Sequence, residues 1–213
     1  MLSMMRYSWI VTVFFLVFTV TAHAQNVTAP CGVVDAIRLP IDNIVELTRG
    51  YDDFGLYRER FGGLHTAVDI AFDRLGDPVY AAARGRVTLS DPLEWDTEKG
   101  VVIIEHTFPD GSIYYTLYGH VEQTDTIFLV PVGSCVEMGD VIAAVGYPSR
   151  GRPHLHYEVR TFMPDDGGPG YVQENPLLDG WLHPLDFTML WQTRLLPGSS
   201  VRRLSRVSPR CPR

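Results

Sequence analysis

The chain has 213 residues, 46% of them hydrophobic and 20% charged, enough for one well-filled core. Its 18 Lys and Arg against 25 Asp and Glu give a net charge of −7, the wrong sign for a dedicated nucleic-acid binder, which displaces counterions with positive charge. An aromatic content of 11% excludes a disordered chain, while 19 Gly and 15 Pro predict many turns.

Residues 1–24 read as a cleaved secretory signal peptide. Arg6 supplies the positive start, Trp9 to Val20 the apolar run, and Ala22-His23-Ala24 the small-x-small ending. The run falls short of the roughly 20 residues of a spanning helix, so no stable membrane anchor is expected after cleavage. An extracytoplasmic protein follows, whether secreted, periplasmic or associated with the cell wall. Residues 25–46, with Pro30, Gly32 and Pro40 and little periodicity, predict an extended arm.

His65-Thr-Ala-Val-Asp69 then places an imidazole and a carboxylate four residues apart. On a straight strand that is about 13 Å, too far for both to reach one ion, so the chain must curl if both are ligands. Gly62 and Gly63 supply flexible backbone just before, and a strand begins near Val68. Strands are predicted over 78–90, 101–107, 112–119, 141–147 and 155–161, with Phe108-Pro-Asp-Gly111 as a hairpin turn. Tyr118-Gly119-His120 ends one of them. His154-Leu155-His156 puts two imidazoles on one strand face, about 6.6 Å apart at Cα, with Leu155 toward the core. His106 and His183 have no comparable partner and are expected to pack or to lie at the surface. Asp165, Asp166 and Glu174 fall in an irregular stretch, 164–181, where they are candidates to meet a substrate amine. A short helix is expected over 186–195. The pattern as a whole predicts a curved, largely antiparallel all-β domain.

Residues 197–213 carry Arg202, Arg203, Arg206, Arg210 and Arg213 and no acid, which predicts a basic, disordered tail able to contact an acidic wall polymer. The net charge therefore averages an acidic body and a basic end. Of the three cysteines, Cys31, Cys135 and Cys211, one must stay unpaired. The usual closeness of domain termini suggests Cys31 with Cys211, and the spacing leaves the other two pairings open.

An exported chain with His-x-x-x-Asp, a hairpin ending in Tyr-Gly-His, then Gly-Asp-Val-Ile-Ala-Ala-Val-Gly leading into Pro-His-Leu-His-Tyr-Glu-Val, closely resembles the lysostaphin/LytM-type zinc metallopeptidases, which are cell-wall endopeptidases. The resemblance covers about Leu47 to Leu190 and includes Gly76 to Val87 and Val132 to Gly146. It implies a barrel-sandwich hybrid domain over 47–196, with Zn2+ held by His65, Asp69 and His156, and with His120 and His154 as the catalytic pair. It also implies hydrolysis of peptidoglycan peptides. The alternative is a non-hydrolytic module of the same fold that binds the wall or activates another hydrolase; such modules lack ligands, and here all five residues are present. One position departs from the pattern: Ala67 stands where the family usually has Gly. If that backbone needs a positive φ, Ala costs of order 1 kcal/mol. Gly119 before His120 is read as a neutral substitution on size grounds.

Overall fold

The computed structural model describes residues 29–163 and 166–197. The expected signal peptide over 1–24, the tail beyond Pro197, Cys211 and Asp165 lie outside them. Twelve mostly short strands are described: β1 Tyr57–Arg58, β2 Gly63–His65, β3 Val68–Ile70, β4 Pro78–Tyr80, β5 Gly85–Asp91, β6 Gly100–Thr107, β7 Ile113–Glu122, β8 Cys135–Val136, β9 Val141–Val145, β10 Leu155–Arg160, β11 Tyr171–Val172 and β12 Trp181–Leu182. Two α-helices flank them, α1 Val45–Thr48 and α2 Pro184–Arg194. No described helix is long and apolar enough to cross a membrane.

Pairings between the described strands are antiparallel, in a small sheet ordered β1-β2-β11 and a large one ordered β12-β10-β7-β6-β5-β8, with one isolated parallel bridge from Val33 to Thr107. In the large sheet β3 adds to β10, and β9 joins β7 to β4. Neither sheet closes on itself, so the predicted all-β class holds as an open, curved architecture. The predicted strand over 78–90 is in fact two. Ala81, Ala82 and Ala83, all buried, carry the chain from β4, paired with β9, to β5, paired with β6 and β8. Gly85 is required at the crossing, because a Cβ there would lie 2.4 Å from the Glu105 carbonyl oxygen.

The period-2 rule separates the two faces of the large sheet. Val102, Ile104, Tyr118, Leu155, Tyr157 and Val159 enter the main core, while Val101, Ile103 and Leu117 form a second cluster on the opposite face, the one that also carries His156. Helix α2 closes the main core with Phe187 and Trp191. The predicted arm is extended but not peripheral: Val34, Ile37 and Ile41 are buried, and the Val34 and Arg38 amides donate to the Thr107 and Ala82 carbonyls. A Cys31–Cys135 disulfide, with Cα atoms 5.3 Å apart, ties the arm to β8. This replaces the Cys31–Cys211 pairing suggested by the closeness of termini; Cys31 heads an arm whose next residues are hydrogen-bonded to β6 and to the β4–β5 crossing, beside β8.

Candidate functional site

His65 and Asp69 belong to different sheets. The chain turns at Thr66-Ala67, leaving β2 for β3, which is the curl the spacing demands. Thr66 is held there by its amide, which donates to the Gly170 carbonyl, and by its hydroxyl, which donates to Glu158 Oε1 at 2.6 Å. Ala67 is buried and is not among the residues of positive φ, so its methyl brings no backbone strain. His156 on β10 lies directly opposite Asp69 on β3.

These three residues converge. His65 Nε2 is 3.1 Å from His156 Nδ1 and 3.4 Å from Asp69 Oδ1, and His156 Nδ1 is 3.3 Å from Asp69 Oδ1. Ligand atoms 2.0 to 2.1 Å from a tetrahedral ion are separated by about 3.3 Å. Three edges of that size, two nitrogens with one oxygen, fit a metal ion. Asp69 Oδ1 is buried and makes no hydrogen bond, as expected of an atom reserved for a cation. Burial works against a charged imidazole, yet the Asp69 and Asp53 carboxylates overcome it and raise the His65 pKa to about 10. Asp69, against the cost of its own burial, is held well below the usual carboxylate range by His65 first, then by His156. The pocket favours positive charge, whether a proton or a metal supplies it.

His120 reaches the same point by a bulge. Gly100 pairs with Val121 and Val101 with Gly119, so His120 is an extra residue with φ 59°. In regular alternation it would share the core face with Tyr118; the bulge aims it into the groove and returns Val121 to the core. His120 Nδ1 donates to the Glu98 carbonyl at 2.7 Å, and His154 Nδ1 to the Arg152 carbonyl at 2.8 Å. In the neutral tautomer that these bonds select, the lone pair of each ring lies on Nε2. Their centroids are 4.6 Å apart, and His154 Nε2 is 3.5 Å from Asp69 Oδ2. Burial, followed by neighbouring His154 and His156, lowers the His120 pKa to about 3, which keeps that ring neutral. The cluster lies at the floor of a groove of about 650 Å³ whose walls include Tyr57, Trp95, Arg152 and Tyr171.

Three contributors escape sequence reasoning. Glu158 Oε1 accepts from His156 Nε2 at 2.8 Å, fixing Nδ1 as the inward atom, and the same carboxylate receives Arg160 and Trp181 Nε1. The two-residue offset that pairs His154 with His156 also points to Glu158. Trp95 packs edge-on against His120 and His156, with centroids 5.1 and 5.3 Å away, and its Nε1 donates to the Gly168 carbonyl. Gly119 is its seat: a Cβ there would lie 2.4 Å from the indole, so Gly119 is not neutral on size grounds. Asp53 carries no motif signal. It comes close because the Gly55 amide and the Leu56 carbonyl pair with His65. His106 and His183 stay outside the cluster, as expected. His106 is buried against the Arg84 carbonyl and Thr116, and His183 caps α2 and contacts Asp52. Asp166 serves a local turn, accepting from the Gly168 amide.

Residues 63–169 match Peptidase family M23, half of the chain. The chain belongs to peptidase family M23. A relative within reach by sequence is the lipoprotein NlpD/LppB homolog of Pseudomonas aeruginosa, 36% identical over 100 residues, 46% of this chain. The chain spans 30% of that relative's length. Among solved structures, the catalytic domain of the antimicrobial peptidase lysostaphin from Staphylococcus simulans matches 66% of this chain and 90% of its own, at 21% identity and a TM-score of 0.48. A zinc-containing peptidase from Vibrio cholerae matches 58% of this chain and 36% of its own, at 29% identity and a TM-score of 0.43. The M23 match contains His65, Asp69, His120, His154 and His156; Asp53 lies ahead of it.

Proposed function

We propose that this M23 protein is a zinc-dependent endopeptidase acting outside the cytoplasm on peptide bonds of peptidoglycan. The observation that carries the reading is the convergence of His65 Nε2, His156 Nδ1 and Asp69 Oδ1 at tetrahedral-edge separations. A nitrogen and oxygen donor set of this size suits zinc, and three protein ligands leave one position open. When bound, zinc acidifies water toward neutral pH and polarises a carbonyl.

The chain's own residues do the rest. His65, Asp69 and His156 hold the ion, and the Asp69 carboxylate offsets part of its charge. His120 and His154 each present a bare Nε2 to the groove. One of these atoms takes the proton from the attacking water and returns it to the amine nitrogen as the peptide C–N bond breaks; the other lies beside the carbonyl oxygen, where a proton gained from solvent lets it donate to the developing oxyanion. The leader over 1–24 supports export, and family membership supports the peptidic substrate.

Metal analysis of the purified protein and release of label from peptidoglycan test the reading together. Wild type is expected to hold one equivalent of zinc and to solubilise the wall. His65→Ala and His156→Ala lose both properties, whereas His154→Ala keeps the metal and loses turnover by roughly a hundredfold or more. Wild type without zinc overturns the reading and favours a wall-binding module instead.

A further inference from the structure

Asp53 is fully buried, and no burial of a carboxylate is tolerated without partners. It has four. Oδ1 accepts from the Asp69 amide at 3.0 Å; Oδ2 accepts from Tyr51 Oη at 3.0 Å and Arg58 Nη2 at 2.9 Å, and lies 3.1 Å from His65 Nδ1. One side chain therefore touches the ring of one cluster member and the backbone of another, and these two stand on different sheets. His156 has a related arrangement in mirror image, with Nδ1 inward and Nε2 donating to Glu158 in a full hydrogen bond where His65 Nδ1 has a 3.1 Å ionic contact. The two imidazoles thus each have a carboxylate behind the nitrogen that faces away from the cluster.

Resting on the zinc reading above, we infer that Asp53 is a positioning residue for the metal: it fixes the His65 ring with Nδ1 protonated and Nε2 turned inward, and it anchors the Asp69 backbone at the matching distance. An imidazole without such a partner can rotate about its terminal torsion or present the wrong tautomer. A carboxylate on the distant nitrogen prevents both and makes the inward nitrogen more basic. Asp53 stands 12 residues before His65 and outside the M23 match, so this support is supplied by the chain's own N-terminal segment. Tyr51 and Arg58 fill the remaining acceptor sites of the carboxylate, which leaves it no reason to swing toward the groove.

The test measures zinc affinity of the full-length protein by competition with a chromogenic chelator, for wild type, Asp53→Asn, Tyr51→Phe and His65→Ala. Asp53→Asn keeps the shape of the side chain and is expected to weaken zinc binding roughly 10- to 100-fold. Tyr51→Phe leaves the carboxylate in place and is expected to weaken it far less. Wild-type affinity in folded Asp53→Asn, with binding abolished in His65→Ala, overturns the inference and leaves the zinc reading standing. Wild type that takes up no zinc overturns both. Should Asp53→Asn fail to fold, long-range 1H–15N correlation spectra of zinc-loaded wild type decide the matter. The expected result is protonation at Nδ1 in His65 and at Nε2 in His156; an unprotonated His65 Nδ1 overturns the inference.

Discussion

A methyl group added at Gly119 would meet the Trp95 ring at 2.4 Å and the His156 Cβ at 3.3 Å. Trp95 must then leave its place between the imidazoles and the Gly168 carbonyl. Gly119→Ala is accordingly expected to retain zinc, since no donor moves far, and to lose wall-solubilising activity by about tenfold or more, because displacement by about 1 Å misaligns the groups that act on substrate. Metal content and turnover measured on one preparation check this. At this scale the sequence is legible where a short-range rule survives folding. The His154-Leu155-His156 offset places two rings on one side of the sheet whatever the partner strand, and the His65–Asp69 spacing demands a curl that Thr66-Ala67 provides. Asp53 and Trp95 are illegible for the opposite reason: each reaches the site through pairing with a distant segment, and neither has a neighbour whose spacing signals it.

Among elements, the arm is the one whose role differs most from its sequence. Low periodicity describes its extended backbone correctly but conceals that Val34, Ile37 and Ile41 are core residues and that Cys31 is bonded to Cys135. The bridge closes a loop of 104 residues, and chain-entropy arguments assign such a cross-link about 2–4 kcal/mol or somewhat more. A Cys31→Ser, Cys135→Ser double variant is expected to unfold at lower denaturant by that amount while keeping zinc and activity at low temperature, since neither cysteine lines the groove. Urea titration with and without reductant checks this. The strands of the central sheet are readable from β-branched runs, as in β6, and the split between β4 and β5 is not, because three alanines fit a strand or a tight crossing equally well. The bulge at His120 is likewise invisible, since the extra residue is defined only by its partner strand.

For the molecule as a whole, the buried His106 couples stability to pH. Burial lowers its pKa from 6.5 to about 4, against a smaller opposing effect of the Arg84 carbonyl. Between those values the unfolded chain binds a proton that the native state refuses. Stability is therefore complete above about pH 6.5, falls as pH drops toward 4 and is lost below it, by an amount of order 3 kcal/mol at most. His106→Gln removes that titration. Its urea-unfolding free energy is expected to vary less steeply with pH than that of wild type between pH 6.5 and 4, whatever the offset between the two curves.

The strict alternation along β10 has a further effect. Leu155, Tyr157 and Val159 enter the core while His156, Glu158 and Arg160 face the other way, and Asp69 is matched to His156 by strand register alone. A one-residue slip in that strand would turn the histidine and the charged pair into the apolar core and the apolar set toward the groove. Misassembled copies of this protein cannot gather the three candidate metal donors. Convergence of the His65, Asp69 and His156 donors is thus a certificate of correct folding, issued only after the sheet has been proofread.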